Sequence, residues 1–192
     1  MAAGLGTRLR PITEHWPKPV LPIDGRPVVV SLVEDLVAAG CERIVVVTGH
    51  LADQVEALLA PLPYEIRFVR QPPGLGSADA VLRARAVPPY LVLAADNVYA
   101  AGDLARFARA GAAADGAIAL HGADRPPLWL VGEPVHRFLD PLPGKAPYEL
   151  RDVFRKAIDA GARVSAIQVG RTRDLTGPVD LVRENFPYLR GT

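Results

Sequence analysis

The sequence predicts a three-layer α/β domain built on a mostly parallel sheet. Short β-rich runs alternate with helical patterns along the chain, and several of those runs are apolar at successive positions, as strands covered on both faces are. The length of 192 residues suits one domain, spanning 1–192, that can bury a core without disulfide or metal staples.

In chain order the expected strands are RIVVVTG (43–49), YEIRFVRQ (64–71), YLVLAAD (90–96), GAIAL (116–120), LWLVG (128–132) and RVSAIQVG (163–170). Between and around them, helical patterns run through 28–40, 52–60, 77–86, 102–114, 148–161 and 178–186. Asp53 and Asp103 sit early enough to support helix starts, and Gly40 and Gly161 suit helix ends. Asp180 is placed to cap the last helix. In such folds ligands bind beyond the carboxyl ends of the strands. Gly4 to Arg8, Gln71 to Gly76, Asp96 and Asp174 all follow an expected strand, or the place where one should have ended, and should therefore share one edge.

A composition of 49% hydrophobic and 22% charged residues is that of a globular protein, not a disordered one. Lys+Arg 22 against Asp+Glu 21 leaves a net charge of +1 and no basic footprint for nucleic acid or an anionic membrane. The expected partner is small. No run approaches the roughly 20 apolar residues of a membrane span, and no signal-peptide pattern opens the chain. A lone Cys41 cannot form an internal disulfide, so a cytoplasmic setting is expected. His15, His50, His121 and His136 show no metal-ligand spacing and read as surface or junction residues. Trp16 and Trp129 are expected to pack.

The opening MAAGLGTRLRPITEHWPKPVLPI concentrates glycine and cations before the first long core element. Gly4 and Gly6 imply backbone that turns tightly or approaches a ligand closely. Two familiar phosphate loops fail here. A Walker A loop needs GK[ST], whereas Thr7 and Arg8 follow Gly6, and the Gly144-Lys145 pair runs into Ala146. A dinucleotide fingerprint needs a third glycine where Leu9 stands.

GLGTRLRP followed by PKPVLPI instead resembles the signature of the sugar-1-phosphate nucleotidylyltransferases, AAGxGTRLxPxT…PKPxLPI, from Ala2 to Ile23. TGHLADQVEALL resembles that family's second strand-to-helix junction, QPPGLGSADAV its base-binding stretch, AADN (94–97) its first metal carboxylate, and DLTGPVDLVREN the segment carrying the second. The resemblance implies a Rossmann-like nucleotidyltransferase domain. It also implies transfer of a nucleotidyl group from a nucleoside triphosphate, UTP or dTTP favoured, to a sugar-1-phosphate, with Mg²⁺ as cofactor. A homo-oligomer is compatible with it.

The roles implied for single residues follow the same match. Ala2, Ala3, Gly4, Gly6 and Thr7 form the nucleotide loop, whose amides make an anion nest. Arg8 holds the β- and γ-phosphates. Lys18, held between Pro17 and Pro19, reaches the reacting centre. Asp96 and Asp174 hold magnesium, and Gln71 and Gly76 receive the base, with Gly76 admitting base or ribose because it lacks a Cβ. Taken alone, Asp96 could instead cap a helix or turn, Gln71 could end an edge strand, and Arg10 reads as a solvated charge.

Two departures stand beside the match. The family carries a short apolar strand, of the type KAVILAAG, before the glycine loop, and Met1 stands where that strand would finish. This suggests a natural start upstream or a marginally stable chain. After GAIAL the family runs through a long segment with a Glu-Lys-Pro sugar contact, whereas this chain passes almost directly from Leu120 to Trp129. Asp124-Arg125-Pro126 is the nearest remnant and reads more readily as a turn. A depleted pocket implies weak sugar discrimination. It leaves open a nucleotide-binding or regulatory homologue without turnover, or a transferase for a different phosphorylated acceptor.

Overall fold

A computed structural model describes residues 1–186. Its elements are β1 (Pro22–Ile23), β2 (Arg26–Pro27), α1 (Val28–Ala38), β3 (Arg43–Thr48), α2 (Ala52–Leu59), β4 (Glu65–Arg70), α3 (Ser77–Ala84), β5 (Tyr90–Leu93), β6 (Asn97–Val98), α4 (Asp103–Gly111), β7 (Gly116–Leu120), β8 (Leu128–Val131), α5 (Glu133–His136), α6 (Leu150–Asp159), β9 (Val164–Gln168), β10 (Arg173–Asp174) and α7 (Pro178–Asn185). Each of the six expected strands and six expected helices is present, most of them shortened by a few residues at an end. Gly40 (φ 91°) and Gly161 (φ 93°) follow α1 and α6 in the left-handed conformation that stops a helix.

The sheet is mixed. β3 and β4 run parallel in register from Arg43 opposite Glu65, and β7 and β9 run parallel from Gly116 opposite Val164. β8 departs from the mostly parallel expectation by lying antiparallel between β5 and β7, and the short ribbons β1–β2 and β6–β10 are antiparallel as well. For β8 the cause is the short link that carries the chain from Leu120 to Leu128, since a parallel return needs a long crossover and an antiparallel one only a turn. His121 and Asp124 close that turn with reciprocal backbone bonds of 2.9 Å.

Met1 and Ala2 join the two halves of the sheet. The Met1 amino group donates to Leu93 O at 2.7 Å, Ala95 N donates to Met1 O at 2.8 Å, and Ala2 N donates to Val47 O at 2.7 Å. They occupy a slot between β5 and β3, the place that the resemblance assigns to the end of a central strand.

Strand alternation splits the core in two. On one face Ile44, Val46, Leu93, Ala117, Ala119, Leu128 and Leu130 meet Val29, Leu32 and Val33 of α1, Val55 and Leu59 of α2, and Leu104 and Phe107 of α4. On the other, Val92 and Val131 meet Ala78 and Val81 of α3, Val135 of α5, and Leu150, Val153, Phe154 and Ala157 of α6. The α6 spacing is the i, i+3, i+4, i+7 stripe of a one-sided helix. Phe107 is 0% exposed, and burial of a side chain that size contributes about 1.5–3 kcal/mol.

A third, smaller cluster supports the chain's opening segment: Leu9, Leu21, Ile23 and Val28 pack with Leu175, and Leu181 of α7 covers them. Arg173 pins this arrangement, donating to both carboxylate oxygens of Asp24 at 2.5 and 2.9 Å and to Glu184 at 2.5 Å. Among the described residues no helix is long and apolar enough to cross a membrane.

Candidate active site

The glycine loop leaves the sheet directly after Ala2. Gly6 takes a left-handed conformation (φ 62°, ψ 32°) and starts the 3-10 turn Thr7–Leu9, whose Leu9 N returns to Gly6 O at 2.9 Å. Leu9 is buried (1% exposed) and anchors the turn, which leaves the neighbouring Arg8 exposed. Gly4 differs: it has no positive φ, and a Cβ there would meet nothing within 4 Å. Open space at that position is what an approaching ligand needs.

The loop is braced from behind by residues that the sequence reading did not single out for this purpose. Thr13 donates its hydroxyl to Gly6 O at 2.8 Å, and its Cγ2 sits so close to Gly6 that a Cβ would come within 2.8 Å. His50 Nε2 lies 2.6 Å from Thr13 O, so the ring nitrogen carries the proton and donates. Gly49 lets β3's end press against Ala3, where a Cβ would stand 2.8 Å from the Ala3 Cβ. The TGH triplet is the sequence signal for this brace, and it gives His50 its junction role. Trp16 corrects the packing expectation: it is 57% exposed, beyond the turn Ile12–Glu14, whereas Trp129 packs against the second core.

Met1, Ala2, Gly4, Gly6, Thr7, Arg8, Leu9, Lys18, Pro19, Ala94, Asp96, Leu175 and Thr176 enclose a cavity of about 280 Å³. Lys18 lies on the 3-10 turn Lys18–Val20 between its prolines, and its Nζ donates to Asp96 Oδ2 at 2.5 Å. Asn97 holds the other oxygen of Asp96, Nδ2 to Oδ1, at 2.8 Å. Burial pushes the Met1 amino group down to about 6, against the opposing pull of the Asp96 carboxylate.

Asp174 reaches this region from the other end of the chain. In the antiparallel pair of β10 and β6 it stands opposite Asn97, one residue from Asp96. It is exposed and its Oδ2 accepts the Thr176 hydroxyl at 3.1 Å, while Leu175 and Thr176 form the cavity wall. Asp180 accepts from Thr176 N at 2.9 Å and Gly177 N at 2.7 Å, and so caps α7 as expected.

Gln71 and Gly76 fall elsewhere. Gln71 lines a second cavity, of about 500 Å³, with Gly49, Leu51, Ala52, Asp53, Arg70, Pro72 and Arg83. At Gly76 the missing Cβ makes room for backbone. A Cβ on Gly76 (φ 87°) would stand 2.3 Å from Tyr148 O and 2.6 Å from Tyr148 N. Tyr148 N donates to Leu75 O and Ala78 N to Tyr148 O, both at 2.8 Å, so the glycine serves the docking of the 145–150 loop onto the start of α3. The expected single edge is thus occupied by two neighbouring cavities, with Ala3 and Gly49 pressed together between them.

A glycine turn, a Lys–carboxylate pair and a second carboxylate thus gather at one sheet edge of an α/β domain. Residues 1–127 match the nucleotidyl transferase family, and the chain belongs to that family. Among curated relatives it is 50% identical over 54 residues to a 2-aminoethylphosphonate cytidylyltransferase of Lancefieldella rimae, covering 28% of this chain and 22% of the relative. It is 30% identical over 115 residues to the UTP–glucose-1-phosphate uridylyltransferase AglF of Haloferax volcanii, covering 57% of this chain and 47% of the relative. The chain thus spans half or less of the length of these relatives. A UDP-glucose pyrophosphorylase solved with UDP-glucose superposes with a TM-score of 0.79 at 20% identity, over 100% of this chain and 97% of that one. The inositol-1-phosphate CTP transferase of T. maritima superposes with a TM-score of 0.78 at 19% identity, over 93% and 88%. These likenesses show the fold.

The donor set suits magnesium by its chemistry. Among the described residues no group of three or more His, Cys, Asp or Glu side chains gathers as a metal cage; Asp96 and Asp174 are the carboxylates that would hold the ion. One or two carboxylates completed by phosphate oxygens and water is the habit of Mg²⁺.

Proposed function

We propose that this chain transfers a nucleotidyl group from a nucleoside triphosphate to a sugar-1-phosphate, releasing pyrophosphate. The observation that carries the proposal is the Lys18–Asp96 pair in the wall of the cavity formed by Gly4, Gly6, Thr7 and Arg8. The family assignment and the names of the relatives support the reaction class.

A phosphate monoester has its second pKa near ~6 and is largely ionised at neutral pH. Its oxygen can attack the α-phosphorus without a general base. A new P–O bond forms as the bond from the α-phosphorus to the bridging oxygen breaks, and pyrophosphate leaves with that electron pair. The protein's task is positioning and charge neutralisation. The Ala2–Thr7 backbone receives the triphosphate, Arg8 holds the β- and γ-phosphates, and Lys18 turns from Asp96 toward the oxygens of the reacting phosphate. Asp96 and Asp174 would hold Mg²⁺, which supplies Lewis-acid neutralisation of the phosphate oxygens. Gln71 receives the base, with UTP or dTTP preferred. The lone Cys41, half-buried and with its thiol pushed up by burial, suits a reducing cytoplasmic setting.

The turn between β7 and β8 favours a second reading of the acceptor. With His121–Pro127 in place of a long segment, few buried groups remain to discriminate sugar hydroxyls. Relatives named for 2-aminoethylphosphonate and inositol-1-phosphate make a smaller or non-sugar phosphorylated acceptor a concrete alternative. The test is pyrophosphate release with each triphosphate against glucose-, galactose-, mannose- and N-acetylglucosamine-1-phosphate, 2-aminoethylphosphonate and inositol-1-phosphate. Release with the last two alone selects the second reading. Triphosphate binding without release from any acceptor selects a nucleotide-binding homologue.

A further inference from the structure

Gln71 lines the second cavity, and its side chain is committed on one side. Nε2 donates to Gly76 O at 2.8 Å and to Asp79 Oδ2 at 2.9 Å. An amide nitrogen has two hydrogens, and both are spent. Asp79 is 7% exposed, and Arg83 Nε donates to its same Oδ2 at 2.6 Å. The carboxylate is therefore held as an acceptor by a guanidinium that cannot lose its charge.

Carboxamide nitrogen and oxygen are nearly equal in shape, so their orientation must be argued from partners. Turned the other way, Gln71 would set Oε1 against a carbonyl oxygen and a carboxylate at once, two contacts between acceptors at hydrogen-bond distance. The backbone does not swing to relieve this, because Gln71 N is tied to Thr48 O at 2.8 Å. Gln71 thus offers a ligand Oε1 and no donor.

We propose that Asp79, braced by Arg83, is a specificity-determining residue: by fixing the Gln71 amide it makes the cavity select bases that present a ring N–H. Uracil, thymine and guanine present one on the edge used for pairing. Cytosine and adenine present a ring-nitrogen lone pair in that position, which would face Oε1 and could be relieved only by shifting the base to use its exocyclic amine. This rests on the reading of the chain as a nucleotidyl transferase with Gln71 at the base.

The experiment titrates UTP, dTTP, GTP, CTP and ATP calorimetrically, with Mg²⁺, into the wild type, Asp79→Asn, Arg83→Gln and Gln71→Ala. Thermal melts serve as the fold control, and exchange of the Gln71 side-chain amide protons is followed by NMR without nucleotide. The expected result is that ring N–H bases bind more tightly than CTP and ATP, and that Asp79→Asn narrows the ratio about tenfold, the scale of one hydrogen bond. A wild-type preference for CTP or ATP overturns the inference. So does a ratio that Asp79→Asn leaves intact while Gln71→Ala collapses it. Should Asp79→Asn not fold, Arg83→Gln decides: Gln71 protons protected in the wild type must exchange faster in it, and equal exchange overturns the proposal. Protected Gln71 protons in a protein that binds no triphosphate would support the fixed amide while counting against the transfer reading.

Discussion

Lys18 Nζ and Asp96 Oδ2 meet at 2.5 Å although 78 residues separate them in the chain. The contact fastens the proline-bounded turn to the end of β5. It also sets the charges of Lys18 and Asp96 against each other, which leaves the cavity wall with the positive charge of Arg8.

Replacing either partner should expose that coupling. Lys18→Met and Asp96→Asn are each expected to lower turnover on the order of a hundredfold, the scale of losing one preorganised charge at a reacting centre. The stability cost should be only about 1–2 kcal/mol, because the two side chains retain 13% and 27% exposure and solvent screens the pair. The double variant should cost less than the sum of the singles. Steady-state kinetics and urea melts on the three variants check this, and strict additivity would mean that the pair is incidental.

Arg8 is anchored by its neighbours and not by its own side chain. Arg8→Ala should leave stability within about 0.5 kcal/mol, as for other exposed positions. If the arginine stabilises the leaving pyrophosphate, turnover falls while triphosphate binding hardly changes. A raised Michaelis constant at unchanged turnover would reassign it to ground-state binding.

The two carboxylates should respond unequally to metal. Chelation by EDTA is expected to abolish pyrophosphate release and added Mg²⁺ to restore it, with Asp96→Asn the more damaging of the two amide variants. Asp96 lines the cavity, whereas Asp174 is exposed beyond its wall. Metal dependence of turnover, measured by titrating Mg²⁺ into each variant, reads this directly. Equal turnover in EDTA would remove the metal from the account.

Gly4 and Gly76 should separate function from folding. Gly76→Ala forces a Cβ onto Tyr148 backbone at 2.3 Å with φ 87°, and should cost more than about 2 kcal/mol of stability. Gly4→Ala meets open space and should melt like the wild type, while weakening triphosphate binding. Paired melts and nucleotide titrations would show the contrast, and the reverse pattern would show that the cavity has been misplaced.

Much of the fold is legible in the sequence. β7 falls at Gly116–Leu120, where the apolar run placed it, because a strand buried on both faces leaves an uninterrupted signature. The direction of β8 was also available in principle, since so short a link from Leu120 permits only an antiparallel return. The Tyr148 backbone against Gly76 was not legible, because a motif records that a glycine is required and not what approaches it. Asp79 was passed over for a related reason: its importance arises from Gln71 and Arg83 meeting it from either side, a three-way contact invisible to spacing along the chain.

Pyrophosphate release from UTP and glucose-1-phosphate with Mg²⁺, in wild type beside Lys18→Met, tests the central claim most directly. The account predicts release that needs both substrates and falls on the order of a hundredfold in the variant. Release that proceeds at the wild-type rate in Lys18→Met would contradict it.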